Sequence, residues 1–97
     1  MNYLSYELGD LQSGDVVVAR IHGDSVNLRL MDRRNYSAYK SGRQHRYYGG
    51  HATSSPHRLK VPHGGSWILI VDRGGHSVNS TVSVTIERRA TWLRTAG

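Results

Sequence analysis

The stretch "GRQHRYYGGH", residues 42–51, combines side chains that suit the binding of negatively charged groups. Its two arginines can each form paired hydrogen bonds to a phosphate or a carboxylate. Its two histidines add further donors, and its adjacent tyrosines offer flat faces on which a base or a sugar ring can stack. Gly49 and Gly50 either let a ligand approach the backbone closely or simply make a bend. The residue types predict an anion-binding loop, and a polar hairpin with solvated side chains is the alternative interpretation.

Positive charge is concentrated around this stretch. The chain has 13 Lys and Arg against 7 Asp and Glu, a net charge of +6, yet no acidic residue lies between Arg33 and Lys60. A basic block of this kind favours an anionic partner, although basic residues also serve solubility alone. The candidate anion-binding residues are Arg33, Arg34, Lys40, Arg43, His45, Arg46, Tyr47 and Tyr48.

Length and composition narrow the class of protein. Ninety-seven residues suit one small domain. The absence of cysteine excludes disulfides and thiolate sites and fits a reducing cytoplasm. The longest apolar run, Trp67 to Val71, is too short to span a membrane, and "MNYLSYELGD" lacks the apolar stretch of a signal peptide. We therefore expect a cytoplasmic protein with no membrane span, and the sequence leaves its oligomeric state open.

Short alternating runs of apolar and polar residues predict an all-β fold. "VVVARI" and "VNLRLM" flank a turn at Gly23 and Asp24, which predicts a hairpin. "SWILIV" is apolar on both faces and should form a central strand that is covered twice. "TVSVTIE" should bury Val82, Val84 and Ile86. Together these runs predict a single antiparallel β-sandwich of about six to eight short strands.

One short helical turn is expected at residues 33–41, with Asp32 as its N-cap and Gly42 at its end. The residues after it have two interpretations. If "QHRYY" forms a strand, His45 and Tyr47 share one face, so one tyrosine of the pair belongs to the core and half of the motif is unavailable to a ligand.

Catalytic and metal-binding motifs are weak in this sequence. "GDS" at Gly23–Ser25 and "HGG" at His63–Gly65 resemble esterase motifs, but that chemistry needs a larger α/β fold. His51, His57 and His63 could in principle hold zinc, yet they lack the usual H-x-x-x-H or H-x-H spacing and a cysteine partner. We therefore expect no catalytic residue, no metal and no cofactor.

Three segments carry a family resemblance: "YELGDLQSGDVV", "VNLRLMDRRNYSAYKSGRQHRYYGG" and "SPHRLKVPHGGSWILIVD". They resemble the bacterial domain-of-unknown-function family eighteen eighty-three, over about residues 1–86. The resemblance implies a small all-β domain in a cytoplasmic setting, found alone or fused to other domains such as signalling-type TIR domains. It implies no activity.

These observations predict a β-sandwich domain at residues 1–86 and a basic C-terminal tail at residues 87–97. The expected function is that of a non-catalytic module whose basic, tyrosine-rich face binds an anionic ligand. Nucleic acid, a nucleotide, an anionic sugar and a phospholipid surface all remain open as that ligand. The alternative is an adaptor domain that docks a protein partner, with the charge serving solubility.

Overall fold

The fold is an antiparallel β-sandwich, as predicted. The computed structural model describes residues 3–89, and within them the elements run in the order β1 (Tyr3–Leu11), β2 (Val16–His22), β3 (Val26–Asp32), α1 (Arg33–Lys40), β4 (Tyr48–Ala52), β5 (His57–Lys60), β6 (Gly65–Asp72) and β7 (Thr81–Glu87). One sheet has the order β1-β6-β3-β4 and the other has the order β5-β2-β7. Each strand pair is antiparallel.

The core lies between the two sheets, because alternate residues of each strand turn inward. Fully buried side chains include Val17 of β2, Leu28 and Leu30 of β3, and Trp67 and Leu69 of β6. Burying an aliphatic or aromatic side chain of this size contributes roughly 1.5–3 kcal/mol. The expected inward residues of β7 also face this core, with Val82 buried and Val84 and Ile86 half-buried.

The central strand β6 is covered on both faces, as its continuous apolar run predicts. Its other face presents Ile68 and Ile70, which form a second buried cluster with Met31. Tyr36 and Tyr39 of α1 pack against this cluster. The helix is therefore fixed on the outer face of the four-stranded sheet, and it positions the basic residues that follow it.

Local capping sets both ends of α1. The Asp32 side chain accepts a hydrogen bond from the Asn35 amide at 2.9 Å, so it caps the N-terminus. At the other end Gly42 adopts a left-handed φ of 72°. The amides of Gly42 and Arg43 donate to the carbonyls of Tyr39 and Ala38, a Schellman arrangement. Both predicted boundaries of the helix are confirmed.

The hairpin predicted across Gly23 and Asp24 is wrong. β2 pairs with β5 and β7, whereas β3 pairs with β4 and β6, so the chain crosses from one sheet to the other at this turn. Gly23 does adopt a positive φ of 115°, as a tight turn requires. Turn chemistry specifies a reversal of the chain, but it does not specify whether the next strand joins the same sheet.

Candidate anion-binding site

The fold divides the acid-free window between two surfaces. Arg33, Arg34 and Lys40 lie on α1, and Arg43 and Arg46 lie in the loop 41–47 that follows it. The three helix cations lie on the outer side of the four-stranded sheet because α1 packs there, and the loop stays beside the helix because the amides of Arg43 and Arg46 donate to Ala38 and Asn35 of α1. The remaining two basic residues of the window, at positions 58 and 60, lie on β5 in the other sheet.

The cations of the helix and loop differ in whether a carboxylate neutralises them. Arg33 is 2.5 Å from Glu7, and both side chains are more than half exposed. Arg34, Arg43 and Arg46 form no ion pair with any carboxylate among residues 3–89. Lys40 likewise lacks a carboxylate in that part of the chain, and its Nζ lies 5.3 Å from the centroid of the Tyr36 ring. The helix and its loop therefore carry uncompensated positive charge.

Two of these arginines line the same cleft. An open cleft of about 510 Å³ is lined by Arg34, Asn35, Gln44, His45 and Arg46. The backbone amide of Arg46 donates to Asn35 Oδ1 at 2.7 Å, and Asn35 Nδ2 donates to Asp32 Oδ1 at 2.9 Å. The loop is thus fastened to the start of the helix, so the backbone that carries both guanidinium groups is held before any ligand arrives.

A row of aromatic rings runs beside the cleft. The Tyr39 ring meets the Tyr3 ring edge-on at 5.4 Å and the His45 ring at 5.1 Å. The His45 ring lies 6.3 Å from the Tyr47 ring, with 34° between the ring planes. His45 Nδ1 is 3.0 Å from the carbonyl of Arg43. These contacts hold His45 between the cleft and the sheet.

Arg29 ends this row, and sequence reasoning missed it. Its guanidinium lies 4.7 Å from the centroid of the Tyr47 ring, and its Nε donates to Asp72 Oδ2 at 2.6 Å. Arg29 precedes the acid-free window, so the charge pattern gave it no weight. The alternation in "VNLRLM" predicts that Arg29 points to the face away from Leu28 and Leu30. This was the sequence signal that could have placed Arg29 on the outer side of the sheet.

Asp72 is the buried carboxylate that compensates Arg29. Burial raises the pKa of its carboxyl, but bonds from Arg29, Asn27 and the Gly74 amide outweigh burial and bring that pKa below its ordinary value. Asn27 Nδ2 donates to Asp72 Oδ1 at 3.0 Å, and Asn27 Oδ1 is 3.1 Å from His51 Nδ1. Arg29 is therefore charged but already paired, unlike the arginines of the cleft.

The two tyrosines of the motif point to different surroundings. "QHRYY" does not form a strand, because β4 begins at Tyr48. The Tyr47 ring contacts Arg29, while the Tyr48 ring lies 6.1 Å from the ring of Trp67. Their exposed fractions are 41% and 47%. The expectation that one tyrosine is buried in the core is therefore wrong, but the pair is divided: Tyr48 is the register partner of the core-facing Leu30 and only Tyr47 lies beside the aromatic row of the candidate site.

The first glycine of "GG" serves the sheet. A Cβ atom on Gly49 would lie 2.2 Å from the carbonyl oxygen of Leu28, and its φ of 136° disfavours other residues. Gly49 therefore permits the close pairing of β4 with β3. Of the two interpretations of this glycine, backbone packing within the sheet is the one that the contacts support.

Within residues 3–89, no group of three or more His, Asp or Glu side chains could hold a metal ion. His51, His57 and His63 form no such group. Instead, the centroid of the His63 ring lies 4.9 Å from that of Trp67, and His63 Nε2 lies 3.8 Å from Asp32 Oδ2. No helix in the described part of the chain is long and apolar enough to cross a membrane.

A family model described as "Domain of unknown function (DUF1883)" matches residues 1–90. The chain belongs to this family. The same comparisons found no match among curated proteins or among solved structures. The DUF1883 match thus includes the whole candidate site, and it ends beyond β7.

The last described residues of this DUF1883 domain are bonded to the sandwich. Asp15 is 1% exposed; its carboxylate accepts hydrogen bonds from the Arg89 amide at 2.8 Å and from Arg88 Nη1 at 3.2 Å. Of the predicted basic tail, residues 87–89 therefore have defined contacts. Residues 90–97 lie outside the described residues.

Proposed function

We propose that this DUF1883 domain is a non-catalytic binding module that holds an anionic ligand against α1 and the loop 41–47. The observation that carries the proposal is the pair Arg34 and Arg46, which line one cleft and have no carboxylate partner among residues 3–89. A cytoplasmic location belongs to the same proposal, because the chain has no cysteine.

The chemistry of the cleft supports a phosphate or carboxylate group as the recognised part of the ligand. Guanidinium groups donate pairs of hydrogen bonds to such groups, and each hydrogen bond to a charged group contributes about 1.5–3 kcal/mol. Lys40 and Arg43 lie on the same helix and loop and add to the local potential. Glu7 competes with the ligand at Arg33, so Arg33 ranks below Arg34 and Arg46.

A ligand that carries a ring next to its anionic group could also stack on an aromatic side chain of the protein. Tyr47 is 41% exposed and is steadied by Arg29, and stacking on an aromatic ring contributes about 1–3 kcal/mol per base. A nucleotide or single-stranded nucleic acid offers both groups. An anionic sugar and a phospholipid surface offer the charge, so they stay within the proposal as ligands to be compared.

The test compares two double variants that each remove two positive charges. Arg34→Ala with Arg46→Ala removes the cleft, whereas Arg20→Ala with Lys60→Ala removes exposed cations of the other sheet. The measurement is fluorescence anisotropy of a labelled single-stranded oligonucleotide at low salt. ATP and anionic vesicles are the competing ligands.

We expect the cleft variant to bind at least about tenfold more weakly, and the control variant to bind like the unmodified protein. Wild-type affinity should also fall with salt, at a slope of about −0.7 per phosphate neutralised. Equal weakening in both variants would mean that net charge, not the cleft, attracts the oligonucleotide. Absence of binding to every anion in the set would refute the proposal.

An adaptor role remains the alternative, and one observation favours it. Tyr48 is 47% exposed beside the buried Trp67, and exposed aromatic residues often anchor protein partners. A protein partner that is retained after Arg43→Ala with Arg46→Ala, and lost after Tyr48→Ala, would favour this role over anion binding.

A further inference from the structure

The four edge strands of the sandwich differ in how well they are protected against pairing with another chain. β1 is interrupted by a bulge between Glu7 and Gly9. β4 has five residues, two of them glycine, and β5 has four residues between Pro56 and Pro62. β7 has seven residues in unbroken register with β2 and contains no glycine, proline or lysine. Bulges, shortness, proline and charged side chains, above all lysine, are devices that block edge pairing, and of these β7 has only Glu87 at its end.

The direction of each backbone group on β7 follows from the ladder of β2. The amide of Ile21 donates to Ser55 Oγ, on the side where β5 lies. Because alternate residues of a strand direct their N–H and C=O groups to opposite sides, Arg20 faces β7, where it is paired with Ser83. Ser83 therefore directs its backbone groups toward β2. The residues of β7 directly before and after Ser83 must direct theirs away from the sheet.

Those outward residues are Val82, Val84 and Ile86. The carbonyl of Val82 accepts a hydrogen bond from the Tyr6 hydroxyl at 3.0 Å, which agrees with this direction. The N–H and C=O groups of Val84 and Ile86 have no hydrogen-bond partner among residues 3–89. A regular edge with free donors and acceptors is the requirement for adding another strand.

The geometry points to a second copy of this chain as the added strand, with the two β7 strands antiparallel about a two-fold axis through Val84. Val84 then lies opposite Val84 of the second copy, and the free backbone groups of each strand bond to those of the other. Val82 faces Ile86 of the second copy, and the carbonyl of Val82, which already accepts from the Tyr6 hydroxyl, uses its second lone pair for the Ile86 amide. This inference is independent of the proposed anion site, which lies on the other sheet.

The sequence of β7 is compatible with itself in this register. Its single charged residue, Glu87, falls opposite the neutral Thr81 of the second copy, so no like charges meet. Ser83 and Thr85 face each other on the solvent side, while the half-buried Val84 and Ile86 extend the core toward their counterparts. This match of charge and polarity is the argument for a second copy as the added strand.

The register gives a test by charge exchange. Residues 83 and 85 are both exposed and lie opposite each other across the proposed axis. Ser83→Lys with Thr85→Lys places lysine opposite lysine, and Ser83→Glu with Thr85→Glu places glutamate opposite glutamate. Each variant alone is repulsive, whereas an equimolar mixture brings opposite charges together at both positions.

We expect sedimentation velocity to show a dimer for the wild-type chain, at least tenfold weaker self-association for each variant alone, and a dimer again for their mixture. Amide hydrogen exchange at Val84 and Ile86 should slow whenever the dimer forms. Circular dichroism confirms that each variant folds. A wild-type chain that stays monomeric at millimolar concentration, or variants that each dimerise as tightly as the wild type, would overturn the inference.

Discussion

At the scale of single residues, the candidate site depends on which cations lack a carboxylate. Arg29 and Arg34 are both arginines near the motif, but Arg29 is held by the buried Asp72 and Arg34 lines the cleft without such a partner among residues 3–89. Arg29 therefore has a structural role, because removing one member of a buried ion pair leaves the other charge uncompensated and destabilises the fold. Arg34 keeps its charge available for a ligand.

This difference predicts unequal effects of two substitutions that each remove one negative charge. Asp72→Asn weakens the bond to Arg29 and should lower the free energy of unfolding by about 1–3 kcal/mol. Glu7→Gln breaks the exposed pair with Arg33 and should change it little, because exposed ion pairs contribute little. Urea unfolding measures both. Equal losses would show that Asp72 is not a structural anchor.

Two buried carboxylates predict sensitivity to acid. Burial raises the pKa of Asp15, but bonds from the Arg89 and Gln12 amides and from Arg88 outweigh burial and lower it; the pKa of Asp72 is lowered in a similar way. A lowered pKa in the folded state means that unfolding takes up protons, so this stabilisation is present above the ordinary value of 3.8 and is lost as the pH falls below it.

The check is the urea midpoint measured from neutral pH to below pH 3.8. The wild-type midpoint should fall steeply over the acid end of this range. Asp15→Asn should start from a lower midpoint at neutral pH and fall less. A wild-type midpoint that does not change in acid would contradict the assigned roles of these carboxylates.

At the scale of elements, β4 depends on close pairing with β3. Gly49→Ala would place a methyl group 2.2 Å from the Leu28 carbonyl and should destabilise the fold by more than about 2 kcal/mol. Gly50 has a similar positive φ of 148°, but a methyl group there would have no atom within 4 Å, so Gly50→Ala is the matched control with a smaller loss. Thermal unfolding of the two variants distinguishes them, and equal losses would assign the cost to φ alone.

Elements with a strong local signal were predictable from sequence. The alternation in "TVSVTIE" and the apolar run in "SWILIV" gave β7 and β6, and Asp32 and Gly42 gave both ends of α1. The pairing of strands was less accessible, because the turn at Gly23 fits a hairpin and a crossing between sheets equally well. Long-range packing decided that case.

The candidate site was also predictable only in part, because local sequence signals do not show long-range contacts. Residue types and charge spacing selected the loop that contains Arg46 and His45 as a candidate. They could not show that Arg33 meets Glu7, that Asn35 fastens the loop through the Arg46 amide, or that Arg29 lies over Tyr47. Each of these contacts joins residues that are distant in sequence or that lie on different elements.

At the scale of the whole molecule, the two sheets have separate proposed roles. The outer side of the four-stranded sheet carries α1 and the two cleft arginines, and the edge of the three-stranded sheet carries the β7 backbone groups that have no hydrogen-bond partner among residues 3–89. A dimer through β7 would give two anion sites per assembly. The central claim, however, concerns the cleft of a single chain.

The most direct measurement of that claim is a titration of the ¹⁵N-labelled protein with inorganic phosphate, followed through the Nε–Hε signals of its arginines by NMR. The account predicts that the signals of Arg34 and Arg46 shift together and reach saturation, while those of Arg20 and Arg58 on the other sheet stay in place. Small shifts of every arginine without saturation, or a saturating response elsewhere, would contradict it.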